Sequence, residues 1–181
     1  MASTYVNNLR LNEMATGDAS GTWGTTTNTN LELIGEAFSY GTEAITANAD
    51  TFTITVQDGA ADGARSLYLK LTGALDSTCT VTLAPNTISK AWLIENATTD
   101  SGSSGPYSLV IKQGSGATIT IPNSQVKMIA TNGGGSGAIV YDLLTDVNLA
   151  GTTQTAALSA QGTLTVGVDD TGYDVKLFGA T

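Results

Sequence analysis

Phe52-Thr53-Ile54-Thr55-Val56-Gln57, then Asp58-Gly59-Ala60-Ala61-Asp62-Gly63, then Leu67-Tyr68-Leu69-Lys70-Leu71: these stretches decide the fold class. Apolar residues fall at every second position, a turn rich in Asp and Gly interrupts them, and the alternation resumes. A side-chain period of two is that of a strand with one wet face, and Gly and Asp supply the turn. The pattern continues outward along the chain. Cys79–Leu83, Ala91–Glu95, Leu109–Lys112, Thr118–Ile121, Val126–Thr131 and Ala138–Leu143 read as further short strands. Strands of this length at near-regular spacing predict an antiparallel β-sandwich or jelly-roll-like domain over 45–146.

Two flanking zones differ from this one. Residues 1–44 open with a polar arm, pass a Gly/Ser/Thr stretch and become helical. Leu31, Ile34 and Phe38 fall at i, i+3 and i+7, which puts them on one helical face. Thr27 or Asn28 is placed to cap the start, and Gly41 to end the helix. About three turns are marginal in water alone, so the apolar stripe must dock, on its own domain or on another protein. Residues 147–181 begin with a Thr/Ala/Gln-rich link. There follow Leu164, Val166 and Val168, the turn Asp169-Asp170-Thr171-Gly172, and Tyr173, Val175 and Leu177. One hairpin does not sustain itself in water, so this one needs the β domain, more chain or copies of itself. The mainly β chain reads as an arm with one short helix, a β-sandwich and the start of a shaft. It is read as the front end of something longer.

Composition excludes several functions. The 181 residues contain no histidine, one cysteine and about thirty threonines. Without histidine, most hydrolase triads and most zinc sites are removed. A formal charge of −9, with seven basic residues that never adjoin, argues against nucleic acid and against anionic membrane surfaces. The N-terminus lacks the basic start and apolar core of a signal peptide, and no apolar run reaches the ~20 residues that span a bilayer. Synthesis in a cytoplasm without a secretion signal is expected.

Each chemical motif reads more simply as structure. Asp170-Thr171-Gly172 matches the aspartic-protease tripeptide, but Asp169 precedes it where an apolar pair belongs and Tyr173 follows. Gly133-Gly134-Gly135-Ser136-Gly137 lacks the Lys-Ser/Thr of a phosphate loop and reads as a hairpin loop. Asp58 and Asp62 fit no calcium loop and read as solvated turn residues. Asn96-Ala97-Thr98 is a formal glycosylation sequon. Cys79 shares a face with Val81 and Leu83 and reads as a buried thiol. Trp92 reads as core, with sugar stacking as the sharper minority reading. No catalytic residue, metal ligand or cofactor is assigned. Trp23 stands apart, since a large aromatic among small residues suits either packing on the helix or insertion into a partner.

Two segments resemble virion proteins of tailed bacteriophages, particularly tail fibres and related fibrous appendages. Ser20-Gly21-Thr22-Trp23-Gly24-Thr25-Thr26-Thr27-Asn28-Thr29-Asn30-Leu31 resembles the W-G…N-x-N segment before a short helix in fibre and collar proteins. Val166 to Thr181 is similar to a hairpin phrase of large phage structural proteins. The resemblance implies a parallel homotrimer in the virion tail, docked on adaptor, nozzle or baseplate proteins. Distal parts would contact a host glycan or protein, and avidity would come from repeated weak sites. Trp23, Leu31, Ile34 and Phe38 are then the docking residues, and Val166, Val168, Val175 and Leu177 start the trimeric shaft. A capsid-attached fibre or decoration protein fits the same features. A carbohydrate-binding module using Trp92, Tyr107 or Tyr141 is the alternative of a different class.

Overall fold

A computed structural model describes residues 3–102, 104–145 and 147. It is mainly β, with one helix near the N-terminus, as the sequence predicts. Helix α1 spans Trp23–Glu36. Eleven strands follow: β1 Tyr40–Ala44, β2 Thr51–Thr55, β3 Tyr68–Thr72, β4 Ala74–Leu75, β5 Cys79–Ala84 and β6 Ala91–Asn96. The last five are β7 Thr99–Asp100, β8 Leu109–Lys112, β9 Ile119–Ile121, β10 Val126–Thr131 and β11 Val140–Asp142.

Sheet one runs β1-β3-β6-β10-β11, sheet two runs β2-β5-β8-β9, and β4 pairs with β7. Strand direction corrects the antiparallel expectation. Of the eight ladders among the described residues, five are parallel: β1 with β3, β3 with β6, β2 with β5, β5 with β8, and β4 with β7. Asp58 to Gly63 is therefore no hairpin. It carries the chain from β2 in sheet two to β3 in sheet one. Because each exit from one sheet passes through the other, the returning strand lies parallel to its predecessor, the crossover that parallel pairing requires. Tyr40, Tyr68 and Leu93 stack in register on sheet one, and Thr51, Thr80 and Val110 on sheet two. The chain thus winds through three coils of about 25–30 residues, like a short solenoid. Antiparallel β9, β10 and β11 finish it.

The alternation places the core as predicted. Leu69, Leu71, Trp92, Ile94 and Ile129 of sheet one face Cys79, Val81, Leu83, Leu109, Ile111 and Ile121 of sheet two in one buried cluster. Gly73, at φ +129, turns the chain between β3 and β4, and a β-carbon there would strike the Ile45 carbonyl.

The N-terminal zone differs from expectation in three places. The helix starts at Trp23, ahead of Thr27, because tertiary contacts override the weak helix propensity of its threonines. Its N-cap is Thr22, with no side-chain cap hydrogen bond, and its C-cap is Ala37. Gly41 lies beyond the helix, inside β1, where the Gly63 carbonyl packs so closely that a β-carbon has no room. Tyr40–Ala44, assigned to the arm by sequence, is the first strand of sheet one. The arm, helix and β strands share one compact unit, Met1–Val147. Val166, Val168, Val175 and Leu177 lie outside the described residues.

Candidate docking surface

The short helix has two apolar directions. Leu33 and Ala37, four apart, are buried. Trp23, Leu31, Ile34 and Phe38 flank this buried strip and are exposed by 65, 60, 36 and 76%. Side chains three and four apart on a helix lie over one another, so Leu31, Ile34 and Phe38 form one stripe as predicted, although Phe38 follows the last helical turn. Trp23 is the first helical residue rather than a loop residue. Tyr40, two residues beyond Phe38, is also exposed, and its ring stacks on Tyr68 at 5.4 Å and 19° on the outer face of sheet one.

Polar contacts hold the helix in this orientation. Asn30 lies one turn before Leu33 and clasps the arm. Its Oδ1 accepts from the Asn12 backbone N–H at 3.0 Å, and its Nδ2 donates to the Asn12 carbonyl at 2.9 Å. At the C-terminal end, Glu36 reaches the fully buried Arg65. Arg65 Nε donates to Glu36 Oε2 at 3.1 Å, and Nη1 donates to the Leu9 carbonyl. Nη2 serves the carbonyls of Gln57 and Ala60 and Asp62 Oδ2 at 2.7 to 2.9 Å. Asp62 also accepts from the backbone N–H groups of Arg65 and Gln57, while Glu36 Oε1 accepts from that of Asp62. One guanidinium thus ties the arm, the helix and the β2–β3 link, fixing which helical face is turned inward. Sequence reasoning missed Arg65, a lone cation between Ala64 and Ser66 with no periodic signal. It also took Asp62 for a solvated turn residue, whereas its side chain is nearly buried and paired.

The remaining candidates are occupied by structure. Trp92 is core, its Nε1 donating to the Ala64 carbonyl at 2.9 Å with Lys90 Nζ 4.5 Å above its ring, so it offers no sugar platform. Tyr107 packs against the core and Tyr141 is exposed. Asn96 is fully buried, its Nδ2 donating to the carbonyls of Tyr107 and Ile121, so the sequon is inaccessible in the fold. The backbone N–H groups of Gly133, Gly134 and Gly135 donate to Gln113 Oε1, Asn132 Oδ1 and the Asn86 carbonyl, leaving no anion cradle there. Cys79 is buried, and desolvation, followed by the nearby Asp50 charge, pushes its thiol pKa up. Asp58 is held by Arg10 at 2.7 Å, beside a cleft of about 280 Å³ lined by Thr55, Val56, Gln57 and Pro85. Asp170 lies outside the described residues. No described helix is long and apolar enough to cross a membrane.

No protein-family model, curated protein or solved structure matches this chain.

Proposed function

We propose that this chain is a structural component of a fibre-type virion appendage, docked onto the tail through the outward face of α1. The observation that carries the reading is the exposure of Trp23, Leu31, Ile34 and Phe38 on a helix already anchored by the buried Leu33 and Ala37. A helix read at i, i+3 and i+7 by a groove is a recurrent recognition mode, and large aromatic anchors dominate such interfaces. The resemblance of residues 20–31 to tail-fibre segments supplies the partner class: an adaptor, nozzle or baseplate protein offering an apolar groove. On this reading the role is mechanical, the chain carries no catalytic centre, and the three-fold shaft stays assigned to Val166, Val168, Val175 and Leu177.

Immunogold electron microscopy of the producing phage, with antibody against residues 45–146, tests it. Label is expected at the tail. Trp23→Ala is expected to weaken attachment by roughly 30-fold, about 2 kcal/mol for a buried aromatic anchor, with the circular dichroism of the purified chain unchanged. Full tail label with Trp23→Ala would end the docking assignment. Label over the head would move the attachment to the capsid, and bare particles would remove the virion reading.

A further inference from the structure

The two main sheets have four lateral edges, and three are covered. The turn Gly63–Arg65 lies over β1, where a β-carbon on Gly63 would come within 2.8 Å of the Thr42 carbonyl. At the far end, hydrogen bonds from Val140 N–H to the Ala117 carbonyl and from Gly116 N–H to the Ala138 carbonyl close β9 against β11. The outer edge of β2 is left. Thr80 N–H donates to the Asp50 carbonyl and Val56 N–H to the Ala84 carbonyl, so the even-numbered residues of β2 face β5. Alternation turns the N–H and C=O groups of Thr51 and Thr53 outward, where no described residue bonds them.

Proteins protect such edges with charge, proline or a bulge. This edge, Thr-Phe-Thr-Ile-Thr, has neither charge nor proline, and its ladder to β5 runs without a bulge. It also matches itself when reversed. We propose that β2 pairs antiparallel with β2 of a second copy, about a two-fold axis at Thr53. Thr51 then faces Thr55, Thr53 faces Thr53, and Phe52 faces Ile54. Threonine pairs and aromatic with β-branched pairs are favourable across strands, and a slip of one residue would set threonine against the apolar positions. Phe52, only half-buried at the rim of the core, gains cover from the partner's Ile54. This contact is isologous, so it joins copies in pairs, separately from the three-fold shaft proposed for the C-terminal residues. It is independent of docking through α1.

Light scattering on the full chain tests the pairing. Thr53→Lys sets two ammonium groups face to face on the axis, and an exposed side chain there leaves the core intact. It is expected to halve the mass of the assembly, with unchanged circular dichroism. A second pair of variants keeps the test decisive if that one fails to fold. Thr51→Lys with Thr55→Glu places opposite charges across the two-fold and should keep the wild-type mass. Thr51→Lys with Thr55→Lys should halve it. An assembly whose mass none of these changes, or a wild-type chain that is monomeric, overturns the proposal.

Discussion

Arg65 shows how much one side chain organises. Its guanidinium is dry, and the oxygens around it come from three segments: the arm, the end of α1 and the β2–β3 link. A planar fork of donors meets them, and a lysine ammonium offers three donors from a single point. Arg65→Lys is therefore expected to leave buried carbonyls and carboxylates unpaired and to cost about 3 kcal/mol. A urea titration that moves by less than about 0.5 kcal/mol would remove Arg65 from this role. Lys90 has a different character. Its ammonium donates to the carbonyls of Ser66 and Ala91, while burial, and then the Arg65 charge, lower its pKa to about 8 against the pull of Asp62. In the unfolded chain the pKa returns to about 10.4. Below pH 8 both states are protonated. Between pH 8 and 10 Lys90 binds more proton in the unfolded chain than in the folded one, so its own contribution to stability is expected to rise with pH there, against the opposite contribution of Cys79. Lys90→Met should flatten that rise. Equal slopes for variant and wild type, measured by urea unfolding at pH 7.5, 8.5 and 9.5, would contradict the assignment.

At the level of elements, the sequence shows where the strands are and hides whom they pair with. Ala91–Asn96 and Leu109–Lys112 were legible because Trp92 and Ile94, or Leu109 and Ile111, alternate with more exposed residues. That period is the same in parallel and antiparallel ladders, so it does not reveal that Phe52–Val56 and Leu67–Leu71 belong to different sheets. The crossover through the Gly63–Arg65 turn depends on Arg65 meeting Glu36 and Leu9, contacts that no local pattern encodes. Leu31, Ile34 and Phe38 were legible as a stripe from their spacing alone. Their outward direction was not, because Leu33 and Ala37 supply a second apolar pair and only the Asn30 and Glu36 contacts choose between them. The helix start at Trp23 escaped for a related reason: six residues of Thr-Thr-Thr-Asn-Thr-Asn favour no helix until the arm holds them.

The whole molecule raises the question of whether its coils open together or in turn. Long solenoids behave as stacks of neighbours, and each added coil weakens cooperativity. Here only three coils share a single core cluster, closed at one end by the Arg65 contacts and at the other by β9, β10 and β11. Cys79 and Trp92 sample this core from different coils and opposite sheets. The thiol is buried, and its raised pKa keeps the reactive thiolate scarce. A thiol reagent thus needs β5 uncovered from both β2 and β8, its neighbours on either side. If the core opens as one unit, the free energy from the labelling rate of Cys79 should equal that from the emission of Trp92, measured with Trp23→Phe to silence the exposed indole. Both should fall with urea along the same slope, because the slope reports the surface exposed. Labelling that proceeds at a lower free energy and a shallower slope would show the second coil opening while Trp92 stays packed. The molecule would then be a stack of separable coils, and its rigidity would depend on what covers its ends.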